Sequence, residues 1–311
     1  MQRVGFVVYP GFQIIGLAAA TAFEVANLVS DNPVYESSVH SESGGTIRGS
    51  DAVSVDSATL DDTHFDTLII LGGTGIPDPS PGLLDYVRTA AGTVRRLASI
   101  CTGAFILAET GLLDGRRATT HWLLAPELQT RFPAIKVEED RIFLTDGTIW
   151  TSAGMSAGID LALAMIEKDL GREIARSVAQ TLVLYHRRAG GQSQHSTLLN
   201  FEPKSDRIQN AMDHARCNLK NTLSVEELAD AAHLSPRQFS RIFRAETGIS
   251  PAKAIEQLRI EAARLMLEQG HHPIEVIARE TGFDDRNRMR RAFLRAYGVP
   301  PQDIRRNLAD A

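Results

Sequence analysis

The stretch SVEELADAAHLSPRQFSRIFRAETGISP, residues 224–251, returns in altered form as PIEVIARETGFDDRNRMRRAFLRAYGVPP, residues 273–301. Ala229 corresponds to Ala278, Arg241 to Arg291, Phe243 to Phe293, Gly248 to Gly298 and Pro251 to Pro301. The offset is 49 residues early in the repeat and 50 later, so the second copy holds one inserted residue. A unit this short has room for two or three short helices around a small core. Small Ala229 and Ala278 let two helices approach closely, while Leu234 and Phe283 fill the turn between them. Ser235-Pro236 and Asp285 are start signals for the second helix. Phe239, Ile242 and Phe243 give an i, i+3, i+4 buried face, repeated by Met289, Ala292 and Phe293. Gly248 and Gly298 stop those helices. Each copy therefore reads as a helix-turn-helix.

The outward positions of the two second helices carry Arg237, Gln238, Arg241 and Arg244, then Arg286, Asn287, Arg288, Arg290 and Arg291. Arginine reads guanine O6/N7, Asn and Gln read adenine, and surplus arginine grips phosphate. One such helix is as well explained by a solvated face as by DNA; two copies, each with cap, plug and basic face, point to double-stranded DNA. Arg241 and Arg291, next to the core pattern, suit phosphate contact or packing. Between the units, Ala252–Gln269 reads as one helix about 25–27 Å long. Two recognition helices joined in this way reach successive major grooves about 34 Å apart. Charge agrees: residues 1–201 carry 15 lysines and arginines against 22 acidic side chains, residues 202–311 carry 18 against 16. The net charge of −5 hides a second half suited to a polyanion.

The first half is α/β. Short apolar runs at Val4–Tyr9, Thr67–Leu71, Val94–Ile100 and Thr148–Thr151 alternate with helical patterns through Leu28, at Leu83–Ala90, Gly103–Thr110 and Ile159–Glu167. That order implies a mainly parallel sheet sandwiched by helices, with ligands outside the carboxyl ends of the strands. A further helix is expected over Arg172–Arg188. Residues 1–190 then form one domain, 191–205 a polar Gly/Ser-containing linker, and 206–311 an all-α domain with both helix-turn-helix units.

ASICTGA, residues 98–104, places a cysteine where a strand meets a helix. The helix start supplies N–H groups and a positive dipole end, which lower a thiol's pKa. Gly72 and Gly73 could aim backbone N–H groups at the same point, and His121 in ATTHW is the candidate base. Equally, a lone Cys in a buried sheet serves as a small core residue, and a His beside Trp122 as hydrogen-bonded structure. The second cysteine, Cys217, lies in the other half, so neither a disulfide framework nor a resolving thiol for redox sensing is evident. No metal-ligand spacing occurs and no cofactor is called for. The amino terminus is too short in apolar run for a secretory segment and no stretch spans a bilayer, so the expectation is a cytoplasmic chain without membrane partners.

The paired units, with IARETGF and the closing GVPPQDIRR, resemble the AraC/XylS family of bacterial transcription regulators over about 100 residues. Arg288 and Met289 stand where that family usually has two aromatics. The first 190 residues resemble the ThiJ/PfpI branch of the class I glutamine amidotransferase-like (flavodoxin-like) proteins through LIILGG, SICTGAFILAETGLLDGRRATTHW and WTSAGMSAGIDLALAMIE. The CTGA…ATTHW run is also similar to isonitrile hydratases. Combined, the two halves resemble the GlxA-type group of regulators. The resemblance implies an elbow at Cys101 and a ligand pocket built on Gly72, Gly73, Cys101, Thr102 and His121. It also implies a small, nitrogenous effector and a homodimer formed through the first domain. Hydrolytic relatives place a histidine after the cysteine, where Thr102 stands, and many carry an acid early in the first helix. Here Gly16, Leu17 and Thr21 occupy that region, and Glu24 comes too late. The expectation is a binding shell rather than an enzyme, with a Cys101-dependent amidase or isonitrile hydratase-like activity as the alternative.

Overall fold

Alternating apolar side chains in the first half build a sheet with a separate core on each face. A computed structural model describes residues 1–61, 64–184, 188, 190, 194, 205–269 and 272–309. The chain divides into two compact units, Met1–Gln194 and His195–Ala311.

In chain order the first unit runs β1 (Gln2–Val7), α1 (Ala18–Val29), β2 (Tyr35–Ser41), β3 (Gly45–Arg48), β4 (Ser54–Thr59), β5 (Thr67–Ile70) and α2 (Pro81–Ala90). It continues with β6 (Arg96–Ile100), α3 (Gly103–Glu109), β7 (Arg117–Ala118), α4 (Ala125–Arg131), β8 (Lys136–Val137), β9 (Phe143–Asp146), β10 (Ile149–Ser152), α5 (Ala157–Leu170) and α6 (Arg172–Thr181). Eight strands form one sheet in the order β3-β4-β2-β1-β5-β6-β10-β9, parallel except at its two edge pairs. Strands β7 and β8 make a small parallel pair apart from it. The period of two decides the layering. Phe6, Ile69, Ala98 and Trp150 face α1, α5 and α6, whereas Val7, Leu68, Ile70, Leu97 and Ile149 face α2 and α3. A buried ion pair ties the start of β6 to the end of α5: Arg96 grips Asp169 with both guanidinium nitrogens, and Arg95 adds a contact at 3.0 Å. Burial pushes the Asp169 carboxyl up, but the hydrogen bonds from Arg96 and Arg95 outweigh it and hold it below the ordinary range.

The helix expected over Arg172–Arg188 stops at Thr181, and Val183 turns into the left-handed region at φ 55°. Strands β2, β3, β4, β7, β8 and β9 were not expected; most are short or carry polar residues on an exposed face. The linker expected at 191–205 lies outside the described residues except for Gln194 and Ser205.

The second unit is helical: α7 (Asp206–Cys217), α8 (Val225–Ala231), α9 (Pro236–Thr247), α10 (Pro251–Gln269), α11 (Ile274–Glu280), α12 (Arg286–Tyr297) and α13 (Pro301–Ala309). It holds two cores that share α10. Ala254, Ile255 and Leu258 join Ile208, Leu228, Phe239 and Phe243; Ile260, Ala263 and Leu267 join Ile277, Phe283, Met289 and Phe293. Each buried Phe contributes on the order of 1.5–3 kcal/mol. With 19 residues, α10 is about 28 Å long.

Candidate functional site

Cys101 sits at φ 56°, a strained conformation for a residue with a Cβ, at the step from β6 into α3. Small neighbours permit it. A Cβ on Gly72 would lie 2.7 Å from the Cys101 Cβ, and one on Gly154 (φ 90°) would collide with the Cys101 side chain. The Cys101 N–H donates to Ser152 O at 3.1 Å, and the Thr120 hydroxyl donates to Cys101 O at 2.8 Å. The elbow is therefore a packed corner where the ends of β5, β6 and β10 meet.

Its polar groups are consumed internally. Thr102, itself buried, accepts from the Gly73 N–H at 2.8 Å and lies 3.2 Å from Gly73 O, to which its hydroxyl donates. The Gly73 amide, a candidate oxyanion donor, is thus committed to Thr102. Burial pushes the Cys101 thiol up to about 11, and the Thr102 N–H only partly offsets this. That overturns the expected lowering: the short helix α3 contributes less than desolvation removes. His121 caps the turn at Trp122–Leu124, its Nδ1 accepting from the Leu123 N–H at 3.3 Å, and stacks on Trp122. Protonation of the thiol is governed by burial, with the Thr102 N–H acting against it. Glu24 is exposed on α1. Gly72, Gly73, Cys101 and Thr102 come together; His121 follows Thr120, whose hydroxyl touches the elbow.

A cavity of about 500 Å³ opens beside the elbow, at the carboxyl ends of β1, β2 and β5. Of the expected pocket residues only Gly73 lines it. Tyr9, Ser41, Glu42, Ser43, Thr74, Asp78 and Ser80 are its polar lining residues. The Ser80 hydroxyl donates to Glu42 at 2.5 Å. The Tyr9 hydroxyl is buried with no hydrogen-bond partner among the described residues. Burial drives its pKa far up; nearby Thr102 eases this without reaching hydrogen-bond geometry, and Cys101 adds to it. Tyr9-Pro10-Gly11, directly after the first strand, was the available sequence signal for this site.

Two residues near the end of the first unit were also missed. Gln194 donates its amide to Thr120 O and Glu139 O, both at 2.8 Å, and accepts from the Trp122 N–H at 2.9 Å. Arg188 binds the buried Asp160 through its backbone N–H at 2.8 Å and its Nε at 2.9 Å. The chain leaving the sheet is tied to the loops around the elbow.

In the second unit the repeat is visible bond by bond. Leu234 and Phe283 donate their N–H groups to Ala229 O and Ala278 O at 2.9 and 2.8 Å. His233 and Gly282 both adopt left-handed φ, 53° and 75°. Ser235 and Asp285 cap the following helices. The inserted residue of the second copy is therefore Asp284, between turn plug and cap, at φ 62°. Ser235 and Gln238 form a reciprocal capping box, so the Gln238 carbonyl is engaged at the helix start. Asp285 accepts from the N–H groups of Asn287 and Arg288 at 2.7 and 2.8 Å, and these bonds, chiefly that from Arg288, hold its carboxyl below the ordinary range. Arg237, Arg241, Arg244, Arg290 and Arg291 are exposed with no ion-pair partner among the described residues, whereas Arg286 pairs with Glu275 at 3.2 Å and Arg288 with Asp284 at 2.7 Å. The outward faces of α9 and α12 are cationic with charge to spare.

Among the described residues no helix is long and apolar enough to cross a membrane, and no group of three or more His, Cys, Asp or Glu is placed to hold a metal ion. Residues 228–307 match the model of a helix-turn-helix domain family, and residues 17–168 match that of the DJ-1/PfpI family. The chain is 30% identical to the HTH-type transcriptional regulator GlxA of Rhizobium meliloti, covering 98% of this chain and 96% of that one. Isonitrile hydratase of Pseudomonas putida is 38% identical over 37% of this chain and half of the enzyme. A crystal structure of an AraC family transcriptional regulator from Pseudomonas putida matches 58% of this chain and all of that one, with a TM-score of 0.53 at 21% identity. The end-to-end likeness, together with the paired helix-turn-helix units, shows that the chain belongs to the AraC-type transcriptional regulators that carry an amino-terminal DJ-1/PfpI domain.

Proposed function

We propose that the amino-terminal unit, about residues 1–190, senses a small nitrogenous effector and that its occupancy alters DNA binding by the carboxy-terminal unit through the linker 191–205. The observation that carries the reading is the cavity beside Cys101: it lies where α/β sheets bind ligands, and it is lined by Tyr9, whose buried hydroxyl has no hydrogen-bond partner among the described residues. Tyr9 offers a hydrogen bond, Glu42 and Asp78 offer negative charge to an ammonium-type group, and Cys101 and Thr102 stiffen the wall behind Gly73. In this account Cys101 is a structural wall and not a nucleophile, the protein is cytoplasmic, and it works as a homodimer through the amino-terminal unit.

On the DNA side, Arg237, Arg241, Arg290 and Arg291 bind phosphate, and Arg286 and Asn287 read bases from the first turn of α12. The capping bond to Gln238 leaves it a smaller role than its position suggested.

The test is a thermal-shift screen of amines, amino acids and betaines on the full chain. A hit whose shift is lost in Tyr9→Phe and Glu42→Gln supports the cavity as the effector site. A hit indifferent to both substitutions contradicts that location. The partial likeness to isonitrile hydratase favours a second reading, Cys101-dependent turnover of isonitriles or amides. A thiol protonated at neutral pH opposes it, and turnover abolished by Cys101→Ala would establish it.

A further inference from the structure

The two helix-turn-helix copies share their hydrogen-bond frame and part company at one residue of the turn. His233 shows that the left-handed backbone at this position does not by itself demand glycine. Gly282, its counterpart, answers a different need. A Cβ there would run into the Leu219 carbonyl oxygen and lie 2.7 Å from the Arg259 Nε. The second turn is therefore pressed against the loop that follows α7, with a guanidinium between them.

Arg259, near the middle of α10, fills that seat. Its Nε donates to Leu219 O at 3.2 Å and its Nη2 donates to Asn221 O at 2.7 Å. Beside it Lys220, on the same loop, pairs with Glu280 at the end of α11 at 2.9 Å. The residue inserted in the second copy adds to the cluster: Asp284 pairs with Arg288 on the first turn of α12, and both charges act on Arg259. Farther along, Arg295 of α12 pairs with Glu256, one turn before Arg259 on α10, at 2.6 Å. The loop belongs to the half that carries α9, because α7 packs in the same core as Phe239 and Phe243. One side chain thus bridges the helix shared by the two cores, the loop of the first half and the turn of the second.

We propose that Arg259 is a positioning residue that sets the spacing and phase of the two recognition helices on DNA. It touches no base. By holding the 219–221 loop against the Gly282 turn, it keeps α10 from acting as a hinge between two independent readers. A fixed pair admits one separation of half-sites, whereas a loosened pair tolerates several. The steric need for Gly282 and the placement of Asp284 both follow from that seat.

The experiment uses the full chain and a duplex selected by it from random-sequence DNA, together with versions lengthened by one base pair between the half-sites and with one half-site scrambled. The native chain is expected to bind the lengthened duplex at least about tenfold more weakly than the selected one. Arg259→Ala is expected to reduce that penalty below about threefold while leaving affinity for the single half-site within about twofold. Gly282→Ala, which displaces the loop from the other side, is expected to do the same. Arg259→Lys keeps the charge and one donor and serves if alanine fails to fold; an intermediate penalty is expected. A native-sized penalty in these variants, or an equal loss on single and paired half-sites, overturns the proposal. Failure of DNA reading itself is distinguishable, since the native chain would then bind selected and scrambled duplexes alike.

Discussion

The elbow around Cys101 and the outward faces of α9 and α12 both looked like chemistry, and the structure treats their polar groups in opposite ways. At the elbow Thr102 binds Gly73, Thr120 binds the Cys101 carbonyl, and the thiol is held protonated by burial. On the helices five arginines project into solvent with no ion-pair partner among the described residues. Polar groups that satisfy one another hold a shape, and charges left outward call for a partner from elsewhere. Nucleophile position alone does not make an active site. Surplus cations on two capped, repeated helices are what a surface for a polyanion requires.

The sharpest way to break this contrast is to disturb one region and watch the other. Gly154→Ala forces a Cβ into the Cys101 side chain at a left-handed backbone position, and is expected to destabilise the amino-terminal unit by about 3–5 kcal/mol. DNA affinity of the carboxy-terminal unit should hold at temperatures where the native and Gly154→Ala chains are both folded; thermal unfolding monitored beside DNA titration checks both expectations. Arg286→Ala should cost about 1–3 kcal/mol on the selected duplex and relax selectivity at one position, as read from a panel of base variants. Ser235→Ala removes the cap of α9 and should lower stability of the helical unit by about 1 kcal/mol in chemical denaturation, with little change at the elbow.

A further effect, felt only at alkaline pH, is the pH response of the thiol. A folded-state pKa raised from 9.0 to about 11 means that the buried thiol adds stability below pH 9, and that this contribution is lost as pH rises toward 11. The amino-terminal unit should lose stability across that window, and Cys101→Ala should lose less, measured by denaturant titration at each pH. Alkylation of Cys101 at neutral pH should be slow by the same cause.

The repeat was legible because its signals are local: Phe239, Ile242 and Phe243 mark a helix face, while Ser235, Asp285, Gly248 and Gly298 mark its ends. The central strands were legible for a similar reason, since TLIIL and the run into Ile100 are buried on both faces. Strand β2, YESSVHS, was not, because its polar residues are held there by pairing with β1 and not by a core of their own. The expected helix to Arg188 failed at Val183, where continuation gives way to a left-handed residue that composition does not announce. At the elbow, sequence could name Gly72, Gly73, Cys101 and Thr102 as neighbours. It could not show that the open space lies on the Tyr9 and Glu42 side, because that depends on how β1 and β2 pair across the sheet.

The most direct test of the account is the salt dependence of DNA binding by the full chain between about 50 and 200 mM salt. Each arginine bound to phosphate adds about one to the steepness of log K against log salt. The variant in which Arg237, Arg241, Arg244, Arg290 and Arg291 are all alanine should therefore show a slope shallower by about 3–5 and bind far more weakly at low salt, with the amino-terminal unit unfolding at its native temperature. An unchanged slope in that variant would contradict the assignment of α9 and α12 as the DNA-binding surface.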